Sequence, residues 1–186
     1  LVEQAKLKLH IGGITALSQQ GAGHYVRLGK EKVYLFSLSG FRLPVWFKNY
    51  DWDVELVHIT TRFLLTDEGL GVANGSASKM RSEPERAILE CLHLVPKKQD
   101  LVECYQLMEG LVNLRPKLVQ KLLEECTSIK VKRLFLYLAE KANHHWLQYV
   151  DLSKVTLGEG VRSLADKGGV YVGKYKITVP AEMEAL

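Results

Sequence analysis

Gly12-Gly13, followed by Thr15 at the head of a helical pattern, is a place where free backbone N–H groups could cradle a phosphate. Two glycines without a P-loop lysine are also the ordinary signature of a turn entering a helix, and that is the reading preferred here. Asp51-Trp52-Asp53 offers two carboxylates of the kind that hold magnesium around a triphosphate in a nucleotidyltransferase. Such pairs usually lie within a strand, where alternate residues share a face. These two fall after Tyr50, beside a bulky indole and ahead of a strand pattern, which favours a solvated loop. The six histidines make no metal set, because His144 and His145 are adjacent and diverge by about 100° on a helix. Cys91, Cys104 and Cys126 are scattered and read as small core side chains, with His93 too close in sequence to Cys91 to share its face. Gly75-Ser76 lacks the second glycine of a nucleophile elbow. The residue types therefore assemble no reaction centre, and neither a cofactor nor a metal is expected.

The clearest charged feature is Arg115, Lys117 and Lys121, followed by Lys130, Lys132 and Arg133. Lys117 and Lys121 share a helix face, as do Lys130 and Arg133. The set reads as the wet side of two core-facing helices, or as a basic face for an acidic partner or nucleic-acid phosphates. On the second reading, reversing the charge at Lys117, Lys121, Lys132 and Arg133 removes function and leaves the fold intact. Trp46, Phe47 and Trp52 around Pro44 read either as a loop folded over and anchoring itself or as an aromatic interface.

Elements able to position these residues follow from composition and patterning. The 186 residues are 47% hydrophobic and 25% charged, enough apolar surface for a core and too much for a disordered chain. The formal net charge of +4 is too mild to establish nucleic-acid binding. Three cysteines argue against a disulfide framework and for a reducing, cytoplasmic setting. No apolar run reaches the roughly 18 residues of a spanning helix, so no membrane role is expected. The chain opens at Leu1 inside an amphipathic segment (Val2, Ala5, Leu7, Leu9) and reads as a fragment with something missing in front.

Ile14 to Gln19 has helical spacing, Lys32 to Leu38 reads as a strand buried on both sides, and Leu43-Pro44 ends regular structure. Val54 to Ile59 predicts a second strand, and Leu70 to Ala73 with Ser78 to Arg81 a hairpin around Asn74-Gly75. Ser82-Glu83-Pro84-Glu85 predicts a capping box ahead of a helix burying Ile88, Cys91, Leu92 and Val95. Asp100 caps a second helix with Leu101, Tyr105, Met108 and Val112 as its apolar stripe. Pro116 opens a third, carrying Leu118, Val119, Leu122, Leu123 and Cys126, and Ser128 caps a fourth, with Val131, Leu134, Phe135, Leu138 and Ala142 buried. Tyr175, Ile177 and Val179 alternate in a last strand closed by Pro180. The fold class is α+β: a small mixed sheet in the N-terminal half, a layer of about four amphipathic helices, and a short β tail. In numbers, a β-rich part covers 1–82, a helical part 83–150 and the β tail 151–186, together one compact unit.

Six segments in order carry a resemblance. They are His10-Ile11-Gly12-Gly13-Ile14-Thr15-Ala16-Leu17, Val33-Tyr34-Leu35-Phe36, Arg42-Leu43-Pro44-Val45-Trp46-Phe47, Ser82-Glu83-Pro84-Glu85-Arg86-Ala87-Ile88-Leu89-Glu90, Val131-Lys132-Arg133-Leu134-Phe135-Leu136 and Lys174-Tyr175-Lys176-Ile177-Thr178-Val179-Pro180. Together they resemble the C-terminal domain of the AbiEi family, the antitoxins of bacterial type IV (AbiE) toxin–antitoxin systems. The resemblance implies a non-catalytic antitoxin domain that counteracts a nucleotidyltransferase-like toxin, either directly or indirectly. It also implies a parent protein that represses its own promoter, with DNA bound mainly by an N-terminal winged helix-turn-helix that nothing here matches. Gly12-Gly13-Ile14-Thr15-Ala16-Leu17 resembles the glycine pair and helix start of the toxin fold too, yet Val33 to Ser37 contains no carboxylate where the acidic pair should follow. A degenerate nucleotidyltransferase-like scaffold is expected on that ground. Two alternatives stand beside it: an enzyme using Asp51 and Asp53 with Gly12-Gly13, and a nucleic-acid-binding module complete in itself.

Overall fold

The computed structural model describes residues 9–21, 30–72, 80–165 and 168–186. Its first sheet joins β1 (His10–Ile11), β2 (Lys32–Leu38), β3 (Glu55–Thr61), β4 (Leu70–Val72) and β5 (Met80–Ser82) in the order β3-β2-β1-β5-β4. β2 has the bounds its alternation predicts, and β3 runs parallel to it in register from Lys32 opposite Glu55 to Leu38 opposite Thr61. β1 pairs antiparallel with β2 and parallel with β5, so the sheet is mixed. The strand pair β4 and β5 is present as expected, antiparallel, and Asn74-Gly75 lies outside the described residues.

The two faces of β2 serve two cores. Tyr34 and Phe36 enter the main apolar cluster with the helices, while Leu35 joins Leu9, Leu43 and Phe47 on the opposite face. A short α1 (Gly13–Ser18) follows the glycine pair, one residue earlier than its apolar spacing suggests. Pro44 ends one segment but also opens another, since α2 (Val45–Asn49) begins directly after it. Phe47 is buried and the Trp52 indole N–H donates to its carbonyl at 2.9 Å, so this loop does anchor itself, leaving Trp46 44% exposed.

α3 (Pro84–Leu94), α4 (Leu101–Glu109), α5 (Pro116–Glu125) and α6 (Ile129–Lys141) are the four expected helices. Pro84 and Pro116 open theirs at a position where the missing N–H costs little. Asp100 and Ser128 cap as expected, accepting from the Glu103 and Val131 N–H groups. Val112 falls beyond α4 and is exposed rather than part of its buried stripe. The capping box at Ser82 does not form. Ser82 belongs to β5 and its hydroxyl donates to Glu90 at 2.8 Å, while Glu85 turns to Arg115.

After two 3-10 turns, β6 (Arg162–Ser163), β7 (Val170–Val172) and β8 (Ile177–Val179) make a second sheet in the order β6-β8-β7. Tyr175 sits in a 3-10 turn just ahead of β8. Its ring, Ile177, Val179 and Met183 close the main cluster that begins at Ile14.

Candidate functional site

The glycine pair bends around an anion, and the anion belongs to the protein. Glu90, on the buried face of α3, accepts from the Gly13 N–H at 2.9 Å and the Ser82 hydroxyl at 2.8 Å. Arg86, one turn earlier on α3, donates its Nε–H to the same carboxylate at 3.0 Å, and His10 Nε2 lies 2.7 Å from it. A Cβ on Gly12 would stand 2.2 Å from Glu90 Oε2 and 2.6 Å from Phe36 Cδ2, and Gly13 has φ +55°. Glycine is thus required twice, first by close approach and then by a left-handed backbone. The seat that a phosphate would take is filled by the Glu90 carboxylate.

Electrostatics hold the knot charged. Burial pushes the Glu90 carboxyl up, but His10, through charge and hydrogen bond, then Arg86 and the Gly13 N–H outweigh it and hold the carboxyl below its ordinary range. Glu85 behaves alike: burial raises it, and the hydrogen bonds and charge of Arg115 bring it down further than that. Arg86 also donates to the Thr66 and Glu68 carbonyls at 2.7 and 2.9 Å, lashing the loop before β4 to α3. His10, Arg86 and Glu90 line a cavity of about 330 Å³ together with Asp67 and the apolar Phe36, Phe63, Leu64 and Leu70.

A carboxyl whose pKa is lower folded than unfolded adds stability above the unfolded value, and that stability is lost as pH falls through the folded one. Both Glu85 and Glu90 carry this sign relative to an ordinary 4.5. The melting temperature should therefore hold from neutrality to about pH 5 and then fall continuously. Thermal unfolding followed by circular dichroism across that range checks this, and a flat profile down to pH 3 contradicts it.

The six basic residues do not share a face. Arg115 heads α5 and is spent on Glu85, through its backbone N–H and Nε at 2.9 Å each and Nη2 at 3.0 Å, and on Glu83. Lys117 is exposed with no ion pair among the described residues, and Lys121 pairs with Glu68. Lys130 is half-buried, donating to the His93 carbonyl at 2.9 Å and to that of Val95, and burial chiefly lowers its pKa. Lys132 is buried. Arg133 is 1% exposed and gives its fork to four carbonyls: Leu157 at 2.8 Å, Gly158 at 3.0 Å, Gly160 at 2.7 Å and Lys176 at 3.1 Å. The expected wet side is thus corrected on α6. The loop at 157–160 closes over Arg133, and Lys132 is buried as well.

Asp51 and Asp53 are exposed in the loop between α2 and β3, as the solvated reading expects. Among the described residues no group of three or more His, Cys, Asp or Glu is placed to hold a metal ion. His144 bonds the Met108 carbonyl and stacks on Trp146, whereas neighbouring His145 is exposed beside Gln148, so the two do diverge. All three cysteines are buried, and burial raises the Cys104 and Cys126 thiols. No helix is long and apolar enough to cross a membrane, among the described residues. Sequence reasoning missed Glu90, Arg86 and His10. The signal available was a Ser82-x-x-x-Arg86-x-x-x-Glu90 spacing that sets two charges on the buried side of one helix.

This architecture, a mixed sheet with helices and a second small sheet, is shared with a solved structure. The crystal structure of the RV2827C protein from Mycobacterium tuberculosis aligns with a TM-score of 0.62 at 13% identity, over 96% of this chain and 64% of that one. The chain thus spans about two thirds of the length of that protein, and at this identity the likeness speaks for the fold. Residues 30–180 match a family described as "Transcriptional regulator, AbiEi antitoxin, Type IV TA system". The chain belongs to the AbiEi antitoxin family. No curated protein matches the sequence.

Proposed function

We propose that this domain is the non-catalytic antitoxin part of a type IV toxin–antitoxin pair, acting as a shaped surface against a nucleotidyltransferase-like toxin. Family membership supports the antitoxin role. The observation that carries the non-catalytic reading is the Glu90 carboxylate 2.9 Å from the Gly13 N–H. An incoming phosphate would meet a fixed negative charge in its own seat. Asp51 and Asp53 lie exposed in the loop between α2 and β3, and among the described residues no group of three or more His, Cys, Asp or Glu is placed to carry a metal ion. The whole protein, on this reading, also represses its own promoter through the family's winged helix-turn-helix. Of the six basic residues, Lys117 and Lys121 on the outer side of α5 remain available to a partner or to phosphates, because an exposed pair such as Lys121 with Glu68 exchanges partners at little cost.

Two assays test this. With magnesium and labelled nucleoside triphosphates, the chain should incorporate no label above background; incorporation that disappears in Asp51→Asn/Asp53→Asn makes it an enzyme. In cells expressing the cognate toxin, the same double variant should rescue growth as the wild type does, and loss of rescue in a folded double variant contradicts the reading. Lys117→Glu/Lys121→Glu should weaken rescue with the melting temperature unchanged, and unaltered rescue removes that face from the proposal.

A further inference from the structure

One outer edge of the first sheet is the seven-residue β3, bordered by a recess on each side. Among the described residues β3 is the last strand of the sheet, paired to β2 alone. In a parallel ladder, alternate residues turn both N–H and C=O to the same neighbour. The Glu55 N–H donates to the Glu31 carbonyl at 2.8 Å and the Thr61 carbonyl accepts from Ser39 at 3.1 Å, so Glu55, Val57, Ile59 and Thr61 face β2. Leu56, His58 and Thr60 then direct their peptide groups outward, with no backbone partner among the described residues. Soluble proteins usually blunt such an edge with inward charges, proline or a covering element. Between Leu56 and Thr61, β3 has no proline and no acidic or lysine side chain, and no strand covers it among the described residues.

On the helix-covered side, Glu55 and Val57 border an open groove of about 810 Å³ together with Lys30, Lys32, Lys97 and Lys98. The acids there are engaged: Glu55 with Lys32 at 3.5 Å, Asp100 in capping α4, and Glu103 with Gln99. Lys30, Lys97 and Lys98 are exposed and in no ion pair among the described residues. On the other side, Leu56 borders a second recess with Phe47, Tyr50 and Trp52, whose rim also carries Lys30, Lys48, Asp51 and Glu55 and whose Tyr50 is 55% exposed.

We infer that the β3 edge is a docking site for an extended segment of a partner protein whose residues alternate acidic and apolar. Such a segment adds a strand by bonding the free peptide groups of Leu56, His58 and Thr60. Its side chains fall alternately on the two faces, one row reaching Lys30, Lys97 and Lys98 and the other Leu56, Tyr50 and Trp52. Carboxylates complement the first row and apolar groups the second. A second copy of this chain fits worse, because pairing β3 with β3 sets one lysine groove near another on a chain of net charge +4. This inference is independent of the antitoxin reading, since it needs neither a toxin nor a promoter.

The test uses the full chain and fluorescein-labelled peptides of the same seven-residue length as β3. One peptide alternates Glu with Val, a second Lys with Val, and a third is the Glu–Val peptide N-methylated at alternate residues along one edge. In fluorescence anisotropy, the Glu–Val peptide should bind at least about tenfold more tightly than either of the others. Thr60→Pro removes an outward N–H and leaves the β2 ladder in place, so it should cost at least about tenfold while circular dichroism stays unchanged. Lys97→Glu/Lys98→Glu, on the separate loop before α4, should cost about as much. No Glu–Val binding, equal binding of the Lys–Val or N-methylated peptide, or full binding by the lysine variant overturns the inference. Displacement of the Glu–Val peptide by single-stranded DNA but not by unlabelled Glu–Val peptide overturns it in favour of nucleic acid, and a concentration-dependent dimer lost in Thr60→Pro overturns it in favour of self-pairing.

Discussion

Glu90→Ala should lower the unfolding free energy by about 3–5 kcal/mol, the range expected when one side of a buried, hydrogen-bonded ion pair is deleted. Four donors lose their acceptor together: the Gly13 N–H, the Ser82 hydroxyl, Arg86 Nε and His10. The Arg86 guanidinium is left buried without its carboxylate partner. Gly12→Ala attacks the same place from the other side. Its Cβ would enter within 2.2 Å of Glu90 Oε2, the oxygen that the Gly13 N–H and the Ser82 hydroxyl hold in place, so we expect about 2–3 kcal/mol from overpacking. The decisive measurement is the double variant in urea unfolding. Removing the carboxylate opens the space that the new methyl needs, so the two losses should sum to less than additive by about 1–2 kcal/mol. Strict additivity would mean that Gly12 answers to the Phe36 ring alone, 2.6 Å from the same Cβ, and not to Glu90.

Local pattern was legible where one short-range preference decided the outcome. Lys32–Leu38 is a strand because apolar residues line both of its faces, and its bounds are those of the alternation. Asp100 and Ser128 cap because nothing distant competes for their oxygens. Ser82 carries the same local signal and fails, since its hydroxyl serves a buried carboxylate and a long-range charge outweighs a terminal N–H. The Glu90 knot itself was hidden for a related reason. Its members His10 and Gly13 stand 80 and 77 residues from Glu90, and periodicity says nothing of partners so far apart. α6 misled by composition: Lys130, Lys132 and Arg133 read as a wet face because a sequence displays charges but not the bare carbonyls waiting for them.

Those carbonyls make Arg133 the second place where a large loss is expected. Gly158, at φ +65°, turns the loop 157–160 so that three of its carbonyls converge on one guanidinium. The Lys176 carbonyl accepts from Arg133 Nη1 and also from the Arg162 N–H, which binds β6 and the turn before β8 to α6. Arg133→Met keeps much of the apolar stem and removes all four bonds, so it should cost about 3–5 kcal/mol, each bond to a charged donor being worth roughly 1.5–3 in isolation but sharing the loss. Arg133→Lys should recover little, because a single ammonium has three donors on one atom and cannot span carbonyls set around a planar fork. Amide exchange should localise the damage, accelerating at Ile177 and Val179 in β8 before it does so in β2. Lys117→Glu, exposed in the first turn of α5, should change stability by less than about 0.5 kcal/mol. If Arg133→Met were as mild as Lys117→Glu, the guanidinium would be an ornament of the loop. If the contrast holds, charge reversal at Lys132 and Arg133 abolishes rescue by unfolding the domain, and only variants on the outer side of α5 report on what it touches.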